Sequence, residues 1–116
     1  QPFERGHMFW RSDNATIYVV YDNEGIWESL PDTWSGSTIP NVNVPSPDLM
    51  APIKGFGKVW YEQLGGPNSR IGFAKYPEQL FQDWFWEFER GFMLRDSDQT
   101  IYIFTNNKTF ASYKKK

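Results

Sequence analysis

Phe3-Glu4-Arg5-Gly6-His7-Met8 returns as Phe88-Glu89-Arg90-Gly91-Phe92-Met93, and Thr16-Ile17-Tyr18-Val19 returns as Thr100-Ile101-Tyr102-Ile103. The spacing is 85 residues at the first block and 84 at the second, so one residue has been dropped in the turn between them. Asn23 follows the first copy, and Asn106 or Asn107 the second. Two copies of one structural unit therefore organise the chain.

Each copy reads as a β-hairpin. Residues 16–21 and 100–104 are β-branched and aromatic, the composition of strands. Ser12-Asp13-Asn14 and Asp96-Ser97-Asp98 are turn chemistry. Gly6 and Gly91 precede the first strand of each hairpin, at positions that call for a bulge, a positive φ or the close approach of another backbone. The second copy carries an extra strand over residues 83–89, whose alternation puts Trp84, Trp86 and Phe88 on one face and Phe85, Glu87 and Glu89 on the other. The first copy continues past the Asp22-Asn23-Glu24-Gly25 turn into a third strand over residues 25–29. Superposed hairpins are expected to point Ile17 and Ile101 into a shared core.

Between the copies, residues 31–52 hold five of the eight prolines and read as one long extended loop, pinned by Trp34, Leu49 and Met50. Residues 55–64 then place Phe56, Val59, Trp60 and Leu64 on one helical face, and Gly65-Gly66-Pro67 stops the helix. The expected fold is mainly β, a β-rich α+β arrangement in one module over residues 1–116. Its hairpin repeat (residues 3–29 and 83–113) frames a loop (residues 30–54) and a helical segment (residues 55–82).

Composition narrows the function. Aromatic residues make up 19% of the chain, so the core must be built from rings, and some rings are expected to remain at the surface. Net charge is −2 with the basic Lys114-Lys115-Lys116 included, which argues against an electrostatic nucleic-acid binder. No apolar run approaches the ~20 residues of a membrane span. The absence of cysteine removes disulfides, thiolate metal sites and cysteine nucleophiles together. No secretory leader is visible, and Gln1 is read as the start of a trimmed or excised segment. Asn14-Ala15-Thr16 and Asn107-Lys108-Thr109 are glycosylation sequons, with Asn14 and Asn107 the acceptors.

A family pattern runs through the second half. Gly55-Phe56-Gly57-Lys58-Val59-Trp60, Leu64-Gly65-Gly66, Ser69-Arg70-Ile71-Gly72-Phe73, Pro77-Glu78 and Phe88-Glu89-Arg90-Gly91-Phe92-Met93 follow one another in the order of the LGFP repeat, which this segment resembles. The resemblance covers residues 55–104, with residues 3–21 as a partial copy. It extends to modules of exported proteins of Chloroflexi-type bacteria in which a Phe-Glu-Arg-Gly hairpin recurs. The Leu-Gly-x-Pro core is altered here to Ile71-Gly72-Phe73-Ala74, with proline postponed to Pro77. The resemblance implies a non-catalytic, secreted or cell-surface module of the bacterial envelope that binds cell-wall or extracellular polysaccharide. The alternative is a structural unit of a repeat array or filament, associating with its own kind.

Candidate site residues follow from the aromatic surplus. Sugars stack their CH faces on flat rings, which singles out Trp34, Trp84, Trp86, Trp27 and Tyr61, with Trp60 behind them; Trp34, in the proline-rich loop, is expected to be the most exposed. Glu4, Arg5, Gly6, Glu89, Arg90, Gly91 and Gly72 form the structural motif, with each arginine expected to pair with a carboxylate of the neighbouring hairpin.

Catalysis finds little to work with. Glu87 and Glu89 lie at strand spacing, roughly 6–7 Å apart, within the range of paired glycosidase carboxylates, but a solvated strand face is the better explanation of them. His7, the sole histidine, sits where the second copy has Phe92, which marks it as a packed ring, and Ser12 and Ser97 have no partner for a triad. Asp96-Ser97-Asp98 and Asp22-Asn23-Glu24 lack the spacing of a Ca²⁺ loop. The sequence thus calls for no metal, no cofactor and no enzyme.

Overall fold

The computed structural model describes residues 1–79, 84–96 and 98–114. It contains two antiparallel meanders of four strands each: β1 (Pro2–Phe3), β2 (Gly6–Arg11), β3 (Thr16–Tyr21) and β4 (Ile26–Pro31), then β5 (Trp84–Phe88), β6 (Gly91–Arg95), β7 (Thr100–Thr105) and β8 (Phe110–Lys114). A short helix, α1 (Lys54–Lys58), lies between them and continues into a π-helical turn (Val59–Gln63). The chain is mainly β, as its composition predicts. Asp83, Ser97 and the end of the 55–82 segment fall outside the described residues.

The first turns of the two meanders are hydrogen-bonded alike. Phe3 faces Gly6 and Phe88 faces Gly91, so in both copies Glu-Arg is a two-residue hairpin turn. Gly6 then pairs with Tyr21, and Gly91 with the equivalent Thr105. Asp22 N–H donates to the Arg5 carbonyl (3.1 Å), and Asn106 N–H to the Arg90 carbonyl (2.9 Å). The glycines are required for space. A Cβ on Gly6 would lie 1.9 Å from the Val20 carbonyl oxygen, and one on Gly91 1.9 Å from that of Phe104. Ala15 and Gln99, at equivalent positions in the β2–β3 and β6–β7 turns, share a left-handed φ of 49° and 65°. The extra strand expected only in the second copy is present in both, cut to two residues in β1, and the third strand expected only in the first copy has a counterpart in β8, so each copy has four strands.

The sheets pack face to face through equivalent residues. Phe9, Tyr18, Val20 and Trp27 meet Leu94, Tyr102 and Phe104 in one buried cluster. Phe92 stacks on Phe104 with centroids 4.6 Å apart, Trp27 stands edge-on to both, and the Trp27 Nε1–H donates to the Thr105 carbonyl (3.0 Å). Reciprocal hydrogen bonds join the sheets where the last turns meet: Trp27 N–H to Lys108 C=O (3.0 Å) and Phe110 N–H to Gly25 C=O (2.9 Å). Arg11 bridges the sheets at another point, 2.7 Å from Glu87 and 4.7 Å above the Phe85 ring.

The shared core is therefore not built from Ile17 and Ile101. Alternation sends those two to the outer faces, and their neighbours Tyr18 and Tyr102 inward. Ile17 joins a second cluster on the far side of the first sheet. There Phe3, Met8, Val19 and Tyr21 are covered by Phe56, Val59, Trp60, Ile71 and Phe73. Trp60 is fully buried, and its Nε1–H donates to the Gly72 carbonyl (2.7 Å). Full burial of such a side chain is worth roughly 1.5–3 kcal/mol, which is why a helical segment of two turns stays docked. Gly65, at φ 100°, ends it as the sequence predicts. The long loop packs Leu49 and Met50 against this cluster, and Met50 exchanges two backbone hydrogen bonds with Ala74 (both 2.9 Å).

Candidate functional site

Glu4 and Arg5 do structural work, by a route the sequence did not indicate. Among the described residues, Arg5 does not pair with a carboxylate. Its Nε donates to the Arg70 carbonyl (2.6 Å) and its Nη2 to the Ser69 carbonyl (3.2 Å). The Glu4 carboxylate accepts the Phe73 N–H (3.0 Å), and the Glu4 and Arg5 amides donate to the Phe73 and Ile71 carbonyls. The hairpin turn thus grips residues 69–73. Gly72 sits at φ 81° where a Cβ would meet Glu4 Oε1 at 2.8 Å, so its place in the motif is steric. An irregular segment presents its carbonyls outward, and a guanidinium can fork onto two of them.

Between the first sheet, the loop after β4 and the start of α1, a cavity of about 490 Å³ opens on the helix side of that sheet. Met8, Ile17 and Phe56 form its buried floor. Trp10 from β2 and Trp34 from the loop after β4 supply two indoles, and Asp32, Lys54, Glu78 and Gln79 supply polar groups around them. Local chemistry fixes these parts. Asp32 Oδ1 accepts the Trp34 N–H (3.1 Å), and the Trp34 Nε1–H donates to the Ser37 carbonyl (2.6 Å), which holds the indole in place. The Lys58 ammonium donates to the Thr33 carbonyl (3.1 Å) and ties the loop to the helix. Gly55 leaves room for Asp32: a Cβ there would lie 2.7 Å from Oδ1, and the carboxylate would have to shift to admit it.

The predicted aromatic candidates scatter. Trp34 lines the groove but is half-buried, not the most exposed ring. Trp27 and Trp60 are core residues and unavailable for stacking. Tyr61 is exposed at 37% on the π-helical turn. Trp86 is 41% exposed but lies on the outer face of the second sheet, away from the groove. Trp84 pairs with Arg95 in the backbone register, and its side chain falls outside the described residues. Sequence reasoning passed over Trp10, equally exposed at 41%. Its signal was present: the second copy has Arg95 at this position, so it is not a residue the fold itself requires.

The remaining candidates are absorbed by structure. Glu87 is ion-paired with Arg11, whose guanidinium is pushed up in pKa by the hydrogen bonds of Asp13, Tyr18 and Glu87 against the opposing effect of desolvation. Glu89 lies in the hairpin turn rather than beside Glu87 on a strand. His7 packs on Phe9 and Tyr102 and contacts Asp22 at 3.1 Å. Asp96 Oδ1 accepts the N–H groups of Asp98 and Thr100 within its own turn. Asn14 and Asn107 lie exposed in turns, and the Asn107 side-chain Oδ1 accepts hydrogen bonds from the Thr109 N–H and hydroxyl. Among the described residues, no group of three or more His, Asp or Glu side chains is placed to hold a metal, and no helix is long and apolar enough to cross a membrane. Comparison with known protein families, with curated proteins and with solved structures finds no match.

Proposed function

We propose that this protein is a non-catalytic, secreted or cell-surface module of the bacterial envelope that binds polysaccharide in the groove between Trp10 and Trp34. One observation carries the reading: two indoles and the buried apolar side chains of Met8, Ile17 and Phe56 line one cavity together with carboxylate, ammonium and amide groups. A sugar ring needs that combination, because its CH faces seek aromatic surface while its hydroxyls seek charged and amide partners. The resemblance to LGFP repeats points to the same class of ligand. Cell-wall glycan is the first choice of substrate class, and other extracellular polysaccharides follow.

Co-sedimentation with purified insoluble cell wall tests this. Replacing Trp34 or Trp10 by Ala is expected to weaken retention about 3–10-fold each, the equivalent of a stacking contribution of about 0.5–1.5 kcal/mol. Trp86→Ala is expected to leave it unchanged. Equal loss in all three variants, or no retention of the parent chain, would refute the assignment. The alternative of an assembly unit draws on a different observation, the apolar outer face of the second sheet, over which no helical segment lies among the described residues.

A further inference from the structure

The two meanders are equivalent, but their surroundings are not. On the first sheet, the outer face is covered by α1, its π-helical turn and residues 69–73. On the second sheet, the equivalent face carries Phe88, Met93, Ile101, Ile103, Trp86 and Tyr113, with no helical segment over it among the described residues. Phe3 is 1% exposed, and its counterpart Phe88 is 59% exposed; Tyr113, opposite Ile101 as Leu30 is opposite Ile17, is 63% exposed. An apolar sheet face of this extent marks a partner.

The turn beside it identifies the partner. Glu89-Arg90-Gly91 has the sequence, the hairpin geometry and the Asn106 hydrogen bond of Glu4-Arg5-Gly6 with Asp22. Glu4 and Arg5 use two backbone amides, a carboxylate and a guanidinium to hold residues 69–73. Glu89 and Arg90 are exposed, and among the described residues their side chains hold no partner segment. The apolar face and the gripping turn are thus both duplicated, and among the described residues the segment they would hold is not.

We propose that the outer face of the second sheet, with the Glu89-Arg90 turn, is the seat of a second helix-and-loop segment built like residues 54–74. The occupant belongs to an adjoining repeat of the same kind. It sets an apolar helical face on Met93, Ile101 and Ile103, and threads a Ser-Arg-Ile-Gly-Phe-like strip along Glu89 and Arg90. The result is a closed four-layer body of helix, sheet, sheet and helix. The register supports this route, since Lys114 pairs with Thr100 as Pro31 pairs with Thr16, so a following loop leaves β8 where the first leaves β4.

The test is a chain in which residues 32–79 are repeated directly after Lys114, compared with the parent chain by residue-resolved hydrogen exchange. The Glu89 and Arg90 amides are expected to slow at least tenfold, towards the rates of Glu4 and Arg5, and Arg90→Ala in the extended chain is expected to abolish the slowing. As a second arm, a synthetic peptide of residues 50–76 is titrated into labelled parent protein; it is expected to shift Gly91, Met93, Ile103 and Asn106 and to spare Gly6. Unchanged exchange in the extended chain together with no shift from the peptide would overturn the proposal. So would protection of the same face by dimerisation of the parent chain alone, or by soluble wall polysaccharide.

Discussion

Arg5→Ala and Arg90→Ala remove the same side chain from the same turn, yet the structure predicts unequal costs. Arg5 donates to two carbonyls of the docked segment, at 2.6 Å and 3.2 Å. Hydrogen bonds from a charged group contribute about 1.5–3 kcal/mol each where water is excluded. Arg5 is exposed, so both carbonyls regain water when it is lost, and about 1 kcal/mol per bond is the better figure. The variant should therefore lose about 2 kcal/mol, close to 1 M in the urea midpoint for a slope near 2 kcal/mol/M. Arg90 is exposed beyond the same hairpin, and its loss should change stability by no more than about 0.5 kcal/mol. Equilibrium urea unfolding followed by tryptophan fluorescence, with both variants at one pH and salt, reads the difference. Equal midpoints for the two variants would refute the claim that only the first turn holds a segment.

Three further outcomes follow from the same geometry. Gly6→Ala and Gly91→Ala each drive a Cβ into a carbonyl of the neighbouring strand and should cost at least ~3 kcal/mol in thermal or urea unfolding; a loss below ~1 kcal/mol at either site would show that the hairpin can shift. Gly72→Val combines a φ of 81° with contact at 2.8 Å to Glu4, and should release residues 69–73, seen as faster exchange of the Glu4 and Arg5 amides. Burial, with the hydrogen bond donated to Glu28, raises the Tyr21 hydroxyl, and burial with the field of Asp96, Asp22 and Asp98 raises that of Tyr102. The folded state therefore holds both phenols neutral, and their contribution is present below the unfolded value near ~10 and is lost as pH rises beyond it. Tyr21→Phe with Tyr102→Phe should flatten the fall in stability between pH 9 and pH 11, and an unchanged slope would count against it.

What the sequence revealed and what it hid have physical reasons. The two glycines stood out in the sequence because Gly6 and Gly91 each face a strand carbonyl that admits no Cβ. The helix was legible because Phe56, Val59 and Trp60 all face one core. The inward face was misassigned because both faces of the first sheet are buried, so Ile17 and Tyr18 are equally apolar and alternation leaves no mark. The partner of Arg5 was invisible because it is a pair of main-chain carbonyls, which no residue type announces. Trp10 was overlooked because it sits inside a strand, where a ring is expected to be core, yet the groove at that end of β2 leaves it open.

The central claim is that polysaccharide binds between Trp10 and Trp34, and the most direct measurement is an NMR titration of the indole N–H signals with soluble cell-wall glycan fragments. The account predicts saturable shifts of the Trp10 and Trp34 signals at up to millimolar sugar, with those of Trp27, Trp60 and Trp86 unmoved. Shifts confined to Trp86, or no shift of Trp10 and Trp34 at saturation, would contradict it.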